Sequence, residues 1–173
     1  MALIQSVKGI APRFGEHCFL AENASVVGHV IAGHHCSFWY NSVVRGDVEP
    51  IVLGDYVNVQ DNAVIHCTYQ EFDVKIGNYV TIAHNAIVHG CTIGDYVLVG
   101  MGAIVMDGCV IEENCIIAAG AVLLEGTHVE AGSIYAGCPA KKVKEISPER
   151  LSGTVKRIAE HYPEYAQWID VEK

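Results

Sequence analysis

Residues 93–129 read IGDYVL VGMGAI VMDGCV IEENCI IAAGAV LLEGTH V when cut into hexapeptides. The first residue of each block is Ile93, Val99, Val105, Ile111, Ile117, Leu123 and finally Val129. An unbroken repeat of this kind has to be identified first, because it defines the fold. A period of six matches neither an amphipathic helix nor the plain alternation of an ordinary strand. It does match a triangular coil of three short flat strands, each pointing one aliphatic side chain inward. Three hexapeptides then make one coil, and successive coils stack at about 4.8 Å. Residues that tolerate positive φ, such as Gly, Asn and Asp, are expected at the corners.

The same period continues upstream. Val26, Ala32, Phe38 and Val44 form one run, Leu53, Val59 and Ile65 a second, and Ile76, Ile82 and Val88 a third. A β-sandwich with regular turns would not keep a strict period of six for so long. The expected fold is therefore an all-β, single-stranded left-handed parallel β-helix. The phase slips between runs place its irregularities. Val44 to Leu53 is nine residues, Ile65 to Ile76 eleven, and Val88 to Ile93 five. The eleven-residue slip predicts a projecting loop near Thr68 to Asp73, and loops on a rigid scaffold often line sites.

The pattern changes at the C-terminus. Ser147-Pro148-Glu149 reads as an N-cap followed by proline in the first turn. Leu151, Val155, Ile158, Ala159 and Tyr162 follow helical spacing. Pro163 is expected to stop that helix, with a second short one running to about Ile169. The organisation expected is a left-handed β-helix over residues 1–137 and a C-terminal helical tail over 138–173, packed on it.

Composition narrows the function. The chain is 51% apolar and 18% charged, with a formal net charge of −9. That acidity disfavours nucleic acid and anionic membrane surfaces as partners. Met1 to Val7 has neither a basic n-region nor an apolar h-region. The seven cysteines include no CxxC pair, which argues against a disulfide framework and suits a reducing cytoplasm.

Counting by coils places chemistry in columns. Val44, Ile65 and Val88 share one face, so Arg45, His66 and His89 form an outward column one residue past each anchor. Phe38, Val59 and Ile82 share the preceding face. Two residues past these come Tyr40, Asp61 and His84. Two histidines one strand spacing apart can both reach one ion with bonds of about 2.0–2.1 Å. His84 of the same chain lies around a corner, but His84 of a neighbour reaches the site if adjacent faces pack in a ring. A homotrimer is the natural closure for a triangular prism. Three imidazoles leave a fourth position for water, the pattern of a catalytic rather than a structural zinc.

At these residues the chain resembles the gamma class of carbonic anhydrases. The likeness runs from about Ile10 to Gly137-Cys138-Pro139-Ala140-Lys141. It includes Arg45-Gly46-Asp47, Asn58-Val59-Gln60-Asp61-Asn62, His66 and His84-Asn85-Ala86-Ile87-Val88-His89-Gly90. The resemblance implies zinc, or iron or cobalt, on His66 and His89 of one subunit and His84 of the next. It implies reversible hydration of carbon dioxide to bicarbonate by a metal-bound hydroxide. It also implies that Gln60 orients that water, and that Arg45 pairs with Asp47 and Asp61 across the interface and helps bicarbonate leave.

The sequence departs from the family pattern in places. Val48, not Glu, follows Asp47. The loop near Thr68–Asp73 is short, and its Glu71 is not assigned a proton-shuttle role. Val155 stands where many loop-poor relatives carry tyrosine, and Tyr162 is the phenol nearby. Two further functions fit parts of the pattern. One is a metal-binding relative without hydratase activity. The other is a hexapeptide acyltransferase, which needs one histidine base and a pantetheine groove.

Overall fold

The computed structural model describes residues 1–169 of the 173. The chain is a left-handed parallel β-helix of about seven turns with one C-terminal helix. One face stacks Val43–Leu53, Val64–His66, Ile87–His89, Ile104–Val105 and Val122–Leu123. A second stacks Val74–Ile76, Thr92–Ile93, Val110–Ile111 and His128–Val129. The third runs from Phe19–Leu20 through Ser37–Phe38, Asn58–Val59, Thr81–Ile82, Leu98–Val99 and Ile116–Ile117 to Ser133–Gly137.

The columns follow the hexapeptide count. Val44 pairs with Ile65 and Ile65 with Val88; Phe38 pairs with Val59 and Val59 with Ile82. Every anchor of the four runs is at most 4% exposed. Each buried Val, Leu, Ile or Phe among them contributes roughly 1.5–3 kcal/mol against the entropy of ordering the coil. The nine-residue slip is not a loop. Val43–Leu53 is one continuous strand that bends from the first face to the second, paired along Ser25–Ala32 with a bulge between Gly28 and Val30.

The corners are only partly as expected. Asn41, Asn62 and Asn85 hold left-handed φ, but so do Tyr56, Tyr79 and Tyr96, each at +55°. Their rings stack 4.7 and 4.9 Å apart, and this stacking offsets the cost of a bulky residue in that region.

The tail differs more. Residues 140–145, expected to belong to a helical segment, form the strand Ala140–Glu145, antiparallel to Ser133–Gly137. The helix begins at Pro148, capped by Ser147, whose hydroxyl accepts from the Arg150 N–H at 3.2 Å. After a π-turn over Leu151–Lys156 it continues as Arg157–Gln167, straight through Pro163. No second helix follows among the described residues, and residues 170–173 of the expected tail lie outside them. Pro163 removes one helical hydrogen bond. Aromatic packing from Trp39 to Tyr162, then Tyr165 and Trp168, holds the segment on the third face. Val155 packs with Ile116 and Ile134 beneath the helix.

Candidate metal centre

The register that stacks Ile65 on Val88 also pairs His66 with His89. Their facing ring atoms, His66 Nδ1 and His89 Nε2, are 3.0 Å apart. Each ring is held from behind by a carboxylate. His66 Nε2 lies 3.0 Å from Asp47 Oδ1, and His89 Nδ1 lies 2.7 Å from Asp107 Oδ1. A carboxylate only accepts, so these outer nitrogens carry the protons, a tautomer assigned from the partners. The two inner nitrogens then face each other as lone pairs at hydrogen-bond distance. Each inner nitrogen therefore has a lone pair to offer a cation placed between them.

Burial would raise the Asp47 carboxyl, but hydrogen bonds from Arg45 and His66 outweigh it and hold the group below its ordinary range. Arg45 Nη1 donates to Asp47 Oδ2, so Arg45, Asp47 and His66 form one chain of contacts. Burial, with the Arg45 charge adding to it, holds the His66 imidazole below its ordinary value despite Asp47. A histidine that resists protonation keeps a lone pair available for an ion.

His84 lies on the third face. Its Nδ1 is 2.9 Å from Asp61 Oδ2, which leaves Nε2 open. Gln60 sits beside it, only 4% exposed, and its Oε1 accepts from the His84 backbone N–H at 3.3 Å. Gln60 Nε2 donates to Asn58 Oδ1, and Asn58 Nδ2 to Thr81 Oγ1, both at 2.9 Å. Gln60, His84, Met101, Ile117, Arg150 and Tyr162 line a cavity of about 330 Å³ beneath the helix. Burial pushes the Tyr162 hydroxyl up to about 12, so it stays a phenol at neutral pH.

Within one chain, then, the sequence-derived residues fall into two groups. Arg45, Asp47, His66 and His89 form one; Gln60, Asp61 and His84 form the other. Among the described residues no cluster of three His, Cys, Asp or Glu side chains is close enough to hold an ion. Arg45 pairs with Asp47 inside the chain, and Asp61 is engaged with His84. Glu71 lines a separate shallow recess with Glu49 and Asp73. Cys67, next to His66, is buried, and its thiol is pushed up to about 12, so it is a poor target for oxidation.

Asp107 was not among the residues singled out by sequence. It lies two past the anchor Val105, one coil beyond His89. Its Oδ1 sits where a Cβ on Gly90 would come within 2.0 Å, so glycine at 90 makes the contact possible. The signal available was a glycine after the last histidine with an acid eighteen residues after that histidine.

The donor set suits a zinc-class ion. Three imidazoles each have one nitrogen tethered to a carboxylate and the other open, the usual outer-sphere pattern of metal-binding histidines. Two open nitrogens 3.0 Å apart lie within reach of one ion at about 2.0–2.1 Å from each.

A parallel β-helix of hexapeptides carrying carboxylate-tethered histidines on two faces defines the class of protein. Residues 90–125 match the family described as bacterial transferase hexapeptide (six repeats). A carbonic anhydrase of Geobacillus kaustophilus is 36% identical over 166 residues, 96% of this chain and 90% of the relative. Gamma carbonic anhydrase 1, mitochondrial, of Arabidopsis thaliana is 36% identical over 162 residues, 91% of this chain but 58% of the relative. A crystal structure of a hexapeptide transferase family protein from Anaplasma phagocytophilum superposes with a TM-score of 0.91 at 38% identity. It covers 96% of this chain and 98% of that one. The chain belongs to the gamma-class carbonic anhydrase family. No helix among the described residues is long and apolar enough to cross a membrane.

Proposed function

We propose that the protein hydrates carbon dioxide reversibly at a metal centre shared between subunits of a homotrimer. His66 and His89 of one subunit and His84 of the next would hold zinc, or iron or cobalt. The observation that carries this is the pair of inner ring nitrogens facing each other at 3.0 Å, each ring tethered behind by a carboxylate, with a third such imidazole on another face. An ion bound there lowers the pKa of water toward 7 and so supplies the nucleophile that hydration needs.

The chain's own residues do the rest. Asp47, Asp107 and Asp61 fix the three rings in the tautomers that leave one nitrogen open. Gln60, braced by Asn58, presents a side-chain amide beside His84 and would orient the attacking water. The neighbouring cavity, with Met101 and Ile117 in its wall, offers an apolar surface beside His84 and Gln60. Arg45, 43% exposed at its side chain, offers a cation to departing bicarbonate while Asp47 restrains it. Tyr162, a phenol at neutral pH, is not a base for the proton released.

Purified protein loaded separately with zinc, cobalt and iron tests this, with metal per chain and hydration rate measured on the same samples. About one ion per chain, with hydration lost in His66→Ala and His84→Ala, is the expected result. Ion bound through these histidines with no hydration under any metal would move the chain to a metal-binding role without that activity. The transferase names of the repeat family and of the Anaplasma structure favour a second reading, acyl transfer from a pantetheine donor to an amine or alcohol. Acetyl-CoA turnover without added metal would support that reading over the first.

A further inference from the structure

We infer that Asp107, held in turn by Thr68 of the projecting loop, is a positioning residue that sets the tautomer and orientation of His89. The geometry is direct. Asp107 Oδ1 is 2.7 Å from His89 Nδ1, and Asp107 Oδ2 accepts from the Thr68 hydroxyl at 3.1 Å. Both carboxylate oxygens are therefore assigned, one to the ring and one to the loop. Thr68 opens the five-residue excursion that closes through the Thr68–Phe72 bridge. Phe72 packs its Cβ near Gly90 and its ring edge near Gly108. The loop thus clasps the corner that carries Asp107 rather than projecting freely.

The consequence is chemical. With Asp107 accepting from Nδ1–H, His89 must present Nε2 as a lone pair toward His66. Without that acceptor, either ring nitrogen can carry the proton and the ring can rotate. Nothing else among the described residues hydrogen-bonds His89 Nδ1. Hydrogen-bond partners behind a ligand imidazole commonly change metal affinity by about 10–100-fold when removed. The affinity part of this inference rests on the proposed metal centre. The tautomer part does not.

The test uses both. Ring-nitrogen NMR of the full, metal-free chain at neutral pH reads which nitrogen of His89 is protonated, with His84 on Asp61 as the internal control. Cobalt(II) titration against a competing chelator reads affinity, and the visible cobalt spectrum reads coordination. Asp107→Ala is expected to shift His89 away from the Nδ1–H form and to weaken cobalt binding by about 10–100-fold. Asp107→Asn, which keeps an acceptor oxygen, should restore most of the Nδ1–H form. Thr68→Val should give a smaller loss in the same direction, and Thr68→Ser should recover it. Thermal unfolding of each variant separates these changes from a folding defect. An unchanged His89 tautomer in Asp107→Ala, with cobalt affinity and spectrum like those of the unaltered protein, overturns the inference. If the unaltered protein takes up no cobalt, the metal centre fails, and the tautomer comparison still decides the role of Asp107.

Discussion

Mixing two inactive variants tests whether the centre is shared between chains. In one chain His66 and His89 face each other at 3.0 Å, while His84 is tied to Asp61 on a different face. A site in a cyclic trimer then needs His66 and His89 from one subunit and His84 from the next. His66→Ala and His84→Ala should each abolish every site when pure. Unfolded together in equal amounts and refolded, they assemble at random. A site is intact where a His84→Ala subunit supplies the His66–His89 pair and a His66→Ala subunit supplies His84. Each condition holds half the time, so about one quarter of the sites return. His66→Ala mixed with His89→Ala should return none, because both lesions fall on the same side of every site. Cobalt bound per chain and hydration rate should both follow these proportions. No recovery in the first mixture, or equal recovery in the second, would refute the two-chain arrangement.

Other outcomes follow from single contacts. Gly90→Ala places a Cβ 2.0 Å from Asp107 Oδ1 and 2.7 Å from the Phe72 Cβ, at a φ of +50°. It should cost about 1–3 kcal/mol, measurable by urea unfolding, together with weakened cobalt binding. The metal-free protein should lose stability as pH falls below 6.5. Burial first, then the Arg45 charge, depress His66 in the folded state from its usual 6.5, so the unfolded chain binds its proton first and acid favours unfolding. Asp47, also depressed in the folded state, adds a further loss as pH falls through and below 3.8. Urea midpoints against pH should show the first step, and His66→Gln should flatten it. Ile82→Ala removes a fully buried anchor of the third face and should cost about 2–5 kcal/mol; a loss under 1 kcal/mol would mean that the coil relaxes around the cavity.

Much of the architecture is legible in the sequence because each coil contributes one inward anchor per face and the backbone ladder permits little slippage. Val44 over Ile65 over Val88 follows from counting, and with it the meeting of His66 and His89. The separation of His84 follows from the same count, since it is two past Ile82 on another face. That count carries the fold, the histidine column and the sequence-level case for a second subunit.

Other features depend on what side chains do once the coils are stacked. The helix runs through Pro163 because Trp39, Tyr162 and Tyr165 hold it against the third face, which outweighs a local helix-breaking preference. Tyrosines occupy left-handed corners because their rings stack on one another between coils. Asp107 reaches His89 from a different position in its repeat, across a gap that exists because residue 90 lacks a Cβ, and with its second oxygen held by Thr68. Hexapeptide periodicity encodes which residues lie in a column, because strand pairing is one residue against one residue. The partner a side chain takes across a corner depends on rotamer, loop packing and free space, and only the tertiary structure decides those.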